Sequence, residues 1–104
     1  MDEIQVRTVP LRELARHVSE AYGVTTTDLV SERLTGEIVR ARLCLYWLAR
    51  RHTLHSYPTI GRVLRRDHST VLSGQRKHAA RMQSDPQAAR LTFEIEARIS
   101  EVTT

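Results

Sequence analysis

An all-α bundle of about six helices is the fold class this sequence predicts, and three observations point to it. Apolar residues recur with helical spacing through most of the chain, no stretch alternates with the period of a strand, and proline or small polar residues stand where the apolar runs begin. The 104 residues suit one compact domain, expected to occupy 1–104 with short flexible ends at about 1–8 and 103–104. No internal repeat or low-complexity linker divides it.

The first helix is expected from Pro10 to Tyr22, where Leu11, Leu14, Ala15, Val18, Ala21 and Tyr22 share a face and Gly23 supplies the stop. Thr25, Thr26 and Thr27 offer capping hydroxyls to a short helix through Asp28, Leu29 and Val30, and the polar stretch Ser31 to Gly36 reads as a loop. From Glu37 to about His52, apolar residues from Ile38 to Ala49 leave little of the circumference polar, so this helix must be packed on several sides as the spine. Pro58 after Ser56 opens a short helix through Ile60 and Leu64, Arg65 and Arg66 form a brief turn, and Asp67 caps a helix from His68 to about Met82. Asp85-Pro86 starts a last helix whose apolar face is Ala88, Leu91, Ile95, Ile99 and Val102.

Composition bounds the function. Hydrophobic residues at 40% and charged residues at 27% suit a folded globular protein, and a net charge of +4 with a pI near 10.0 points to a polyanionic partner. Lys77 is the only lysine, so the cations are nearly all arginines, whose planar fork suits phosphate or guanine. Cys44 stands alone and forms no internal disulfide, in keeping with a reducing cytosol. No run of about 18 apolar residues and no basic leader at Met1-Asp2-Glu3-Ile4 is found, so a cytoplasmic protein without a membrane role is expected. His52 and His55 lack further nearby ligands for a metal, Cys44 lies in a buried run rather than beside a base, and Tyr46 and Trp47 read as core anchors. No catalytic site, metal or cofactor is expected.

The helix after Asp67 carries the functional pattern. At 100° per residue, Val71, Leu72, Gln75, Ala79 and Met82 share one sector, with Ser69, Thr70, Ser73, Arg76, Lys77 and Arg81 opposite. Short hydroxyl side chains at the N-terminal end allow close approach to base edges in a major groove, and cations further along meet phosphates. An ordinary solvated face has the same composition, so pattern alone leaves both readings open.

The segments Pro58-Thr59-Ile60-Gly61 and Arg66-Asp67-His68-Ser69-Thr70-Val71-Leu72 closely resemble the C-terminal DNA-binding domain of the bacterial replication initiator DnaA, whose signature reads R-D-H-T-T-V. The likeness runs from about Leu11 to Val102. It implies a helix-turn-helix within a fold of the Trp repressor/DnaA C-terminal-domain type, and double-stranded DNA as partner. It also implies that Asp67, His68, Ser69 and Thr70 lie at base edges, with Pro58, Arg42 and Lys77 along the sugar-phosphate backbone; Ser73 is a further candidate for the bases, and Arg33, Arg40, Arg66 and Arg76 for the backbone. A carboxylate accepts from cytosine N4, a hydroxyl serves either polarity, and the Thr70 methyl or His68 ring meets a thymine methyl; each matched base pairing is worth ~1–3 kcal/mol. His68 also falls near the apolar sector, where it would pack on the preceding helix.

Departures from the family pattern accompany the match. Leu34 stands where the family inserts an arginine into the minor groove, with Glu32 near it; Leu43 and Ser73 replace polar and histidine residues; and Leu64-Arg65-Arg66-Asp67 is one residue shorter than the usual glycine-bearing connection. These changes imply a preferred site other than the standard initiator box. None of the four glycines begins a G-x-x-x-x-G-K-[ST] phosphate loop, so no nucleotide is expected to bind. The expected role is a stand-alone transcriptional or regulatory factor, cytoplasmic and nucleoid-associated. An origin-binding accessory factor or initiator fragment, and a protein-interaction module that has lost DNA binding, are the alternatives.

Overall fold

Helices form where apolar spacing and end signals coincide. In a computed structural model that describes residues 8–103, α1 (Leu11–Tyr22), α2 (Thr26–Val30), α3 (Gly36–His52), α4 (Tyr57–Leu64), α5 (His68–Ser84) and α6 (Pro86–Thr103) follow one another, with no strand among the described residues. The all-α expectation holds. Most of the flexible ends expected at about 1–8 and 103–104, and the side chain of Val102, lie outside the described part.

The caps explain the bounds. Gly23 closes α1 at φ 69°, a left-handed conformation that glycine adopts without cost. Thr25 and Asp28 exchange bonds at the start of α2: the Asp28 N–H donates to the Thr25 hydroxyl at 2.9 Å, and the Thr25 N–H to the Asp28 carboxylate at 3.1 Å. These bonds, with help from Arg33, hold the Asp28 carboxyl below its usual range. The Thr59 N–H donates to Ser56 Oγ at 3.3 Å, and Pro58 occupies the first turn of α4.

α3 is the spine, touching α1, α2, α4 and α5. Its Ala41, Cys44, Leu45, Tyr46, Leu48 and Ala49 are buried against Leu14 and Val18 of α1, Leu29 of α2, Ile60 of α4, Val71 of α5 and Ile95 of α6. Each fully buried large aliphatic contributes ~1.5–3 kcal/mol relative to exposure, so this seam holds the bundle together.

The buried face of α5 differs from the sequence reading. Val71, Gly74 and His78 are buried, whereas Leu72, Gln75, Ala79 and Met82 are only half-buried. Gly74 is inside because α3 crosses there: a Cβ would stand 2.6 Å from Tyr46 Cδ2 and 2.9 Å from Leu43 Cδ2. His78 is inside because Thr92 of α6, equally buried, receives it at 2.9 Å. The Thr92 hydroxyl spends its proton on the Ala88 carbonyl at 2.8 Å, so the imidazole must donate through Nε2, and the Cys44 thiol, 3.6 Å away, must donate as well. Burial pushes His78 down to about 4, with Arg81 adding to the effect, and pushes the Cys44 thiol up to about 11.

Candidate nucleic-acid interface

α4 and α5 form a helix-turn-helix whose close turn depends on Gly61. A Cβ there would lie 2.3 Å from the Arg66 carbonyl oxygen, and the Arg66 N–H donates to the Gly61 carbonyl at 2.7 Å. Arg65 takes the left-handed conformation, φ 60° and ψ 46°, where a glycine is usual. The shortened connection thus still turns the chain, at the expense of a side chain in a strained region. Tyr57 of α4 donates to Gln75 Oε1 at 3.2 Å and fastens the two helices further along.

The turn delivers Asp67, His68, Ser69 and Thr70 to an exposed tip, with Ser73, Arg76 and Lys77 continuing the exposed face along α5. His68 therefore does not pack on the preceding helix. Asp67 stands at the cap position, and its carbonyl accepts from the Thr70 and Val71 N–H groups at 3.0 and 3.1 Å. Its carboxylate makes no cap bond, and the residue is exposed. α6 meets α5 through His78, on the side opposite Ser69, Ser73 and Arg76, so the tip is not covered by the closing helix.

The expected backbone residues divide. Arg76 and Lys77 are exposed on α5, and Pro58 is exposed in the first turn of α4. Arg33 is exposed but paired with Asp28 at 3.3 Å. Arg40 pairs with Glu37 at 2.6 Å and lines a separate depression with Tyr22, Arg81 and Asp85, apart from the tip. Arg66 is half-buried, its guanidinium donating to the carbonyls of Arg65 and Ser31. Arg42 is set apart from these. It is 6% exposed, and its guanidinium donates to the carbonyls of Leu29, Asp28 and Ser31 at 3.1, 3.0 and 2.9 Å. Burial, and then the nearby Arg66 charge, hold its pKa below the usual arginine range. Arg42 is a strut that closes the exposed carbonyl end of α2, rather than an open phosphate ligand.

Two cations absent from the expected set join the face. Arg62 and Arg65 are exposed and line a groove of about 830 Å³ that also borders Asp67, Thr70 and Lys77. Their signal was present as arginines three apart across the end of a short helix, but only the packing of that helix end beside α3 puts both on one groove. Of the other exposed arginines, Arg16, Arg33, Arg51, Arg90 and Arg98 meet carboxylates, while Arg12 and Arg50 make no ion pair among the described residues. Among the described residues, Arg62, Arg65, Arg76 and Lys77 make no ion pair, and all four flank the tip.

The family model for the bacterial DnaA protein helix-turn-helix matches residues 11–77, a span that holds α1 through the first half of α5. The chain belongs to the bacterial DnaA helix-turn-helix family. It is 40% identical over 80 residues to the chromosomal replication initiator protein DnaA of Nitrobacter hamburgensis, covering 76% of this chain and 17% of the relative. It is 35% identical over 95 residues to the protein of that name from Methylacidiphilum infernorum, covering 90% and 21% respectively. With the protein of that name from Caulobacter sp. it shares 38% over 81 residues, 77% of this chain and 17% of the relative. The chain thus corresponds to a minor part of the length of these DnaA relatives, and α6 lies beyond the family match. No described helix is long and apolar enough to cross a membrane.

Proposed function

We propose that this chain binds double-stranded DNA sequence-specifically, with the N-terminal end of α5 in the major groove, and that it acts by binding without catalysis. The observation that carries this reading is the coincidence of an uncovered Asp67-His68-Ser69-Thr70 tip with four cations that have no carboxylate partner, Arg62, Arg65, Arg76 and Lys77. An ordinary solvated helix would not gather unpaired cations around its hydroxyl end while most arginines elsewhere are neutralised. Thr70, Ser69, His68, Asp67 and Ser73 read base edges; Lys77, Arg76, Arg66, Pro58 and Arg33 follow the backbone. We assign the chain to regulation of transcription in the bacterial cytoplasm, on the nucleoid. The name borne by its DnaA relatives supports an origin-binding role equally, as accessory factor or part of an initiator. Genome-wide occupancy separates promoters from an origin.

The test begins with selection of bound oligonucleotides from a random pool, followed by titration of selected and random duplexes at several ionic strengths. Thr70→Ala and His68→Ala are expected to lower affinity for the selected site by ~1–3 kcal/mol each and to leave random DNA nearly unchanged. Lys77→Ala weakens all duplexes alike and flattens the salt dependence. Equal losses on both duplexes for all three variants would remove base reading, and an affinity indifferent to salt would favour a protein-interaction module.

A further inference from the structure

The groove beside the tip runs between the Ser31–Thr35 loop, the flank of α3 and the turn of the helix-turn-helix. Its walls carry Arg42, Arg62, Arg65, Arg66 and Lys77 against the carboxylates of Glu32 and Asp67. The inner pair, Arg42 and Arg66, is held by backbone carbonyls, chiefly those of Ser31, Asp28 and Leu29. Carbonyl dipoles orient a guanidinium without neutralising it, so a fixed positive floor remains. Arg62 and Arg65 rise from the rim with side chains that bond to nothing among the described residues. Five cations against two carboxylates leave the concave surface net positive, and protein walls of low dielectric focus its field into the groove.

The geometry points to a phosphate seat in this groove, in which Arg62 and Arg65 clasp a phosphodiester of bound duplex DNA over the floor set by Arg42 and Arg66. The assignment rests on the DNA-binding reading and deepens it. Asp67, Thr70 and Lys77 border both the groove and the reading face, so a strand lying in the groove is the one that edges the base pairs the tip reads. Guanidinium forks match the paired oxygens of a phosphate, and two of them at a rim hold it with defined orientation. Arg62 and Arg65 are then affinity determinants that carry no sequence information.

Arg62→Gln, Arg65→Gly and the double variant test this, with Arg90→Gln on α6 as the control for removal of one charge far from the groove. Glycine suits the left-handed backbone at position 65, so Arg65→Gly removes the guanidinium without disturbing the turn. Circular dichroism verifies folding. Affinity for selected and random duplexes should fall by the same factor in each groove variant. The slope of log affinity against log salt should become shallower by about 0.9 for each phosphate that is no longer neutralised, and Arg90→Gln should leave it unchanged. A double variant with the wild-type slope overturns the seat. If the wild-type chain shows no salt-dependent affinity for any duplex, the DNA reading itself has failed. The groove is then decided by inorganic phosphate, followed through the arginine Nε–H NMR signals: a saturable shift that the double variant abolishes supports a seat for free phosphate, and its absence overturns it. Polyglutamate bound as tightly as duplex, and released by the same substitutions, would also overturn phosphate as the ligand.

Discussion

Arg42 shows how one side chain joins folding to the interface. Its two nitrogens reach three carbonyls at the end of α2; that of Leu29 has no other donor among the described residues, whereas those of Asp28 and Ser31 also accept from Ser31 and from Arg66. Hydrogen bonds from a charged donor are worth ~1.5–3 kcal/mol, and the stranded Leu29 carbonyl adds to the loss. Arg42→Ala is therefore expected to cost about 2–3 kcal/mol in urea unfolding, and Arg42→Lys to restore little, because a single ammonium does not span the same acceptors. An Arg42→Ala chain as stable as wild type, but weaker on DNA, would return Arg42 to the phosphate-binding set. The identity of this residue was legible in sequence, but its role was not: an arginine flanked by Ala41 and Leu43 reads as the charged end of a helix until α2 is folded against it.

At the scale of elements, caps and apolar spacing made the helices readable almost residue by residue, because N-cap hydroxyls and prolines act within a single turn. The faces were less readable. Gly74 and His78 carry little hydrophobic signal, yet one admits α3 and the other meets Thr92, and the inward side of α5 follows those fits. Gly61 has the same character in the α4–α5 turn. Gly61→Ala would drive a Cβ into the Arg66 carbonyl, a backbone atom that cannot swing aside, and overpacking of this kind costs ~1–3 kcal/mol. The expected outcome is a lowered melting temperature together with weaker binding to every duplex, since the tip shifts as a unit. Unchanged stability and affinity would mean that the turn has slack the geometry does not show.

Across the whole molecule, α3, α5 and α6 are tied by the Cys44, His78 and Thr92 cluster, which holds α5 from behind. His78 Nδ1 is buried and has no hydrogen-bond partner, so a proton there would be unpaired. With its pKa lowered from 6.5 to about 4, the folded chain resists a proton that the unfolded chain accepts. The stabilisation is complete above pH 6.5 and is lost as the pH falls toward about 4, by on the order of 3 kcal/mol in total. Urea midpoints measured through that window should fall with acid in the wild type and fall less steeply in His78→Asn. Parallel slopes in the two proteins would assign the acid sensitivity to other groups.

Local chemistry alone settled the number, order and limits of the helices, the spine and the hydroxyl-bearing run that follows Asp67, because turns, caps and periodicity are properties of neighbours in the chain. Tertiary packing decided which arginines are struts and which stand free. Arg42 and Arg62 differ in no feature that composition reveals, and only the approach of α2 to one and of the α3 flank to the other make one internal and the other part of the groove. A charge is committed by the partners that surround it in space, and those come from segments far apart in sequence.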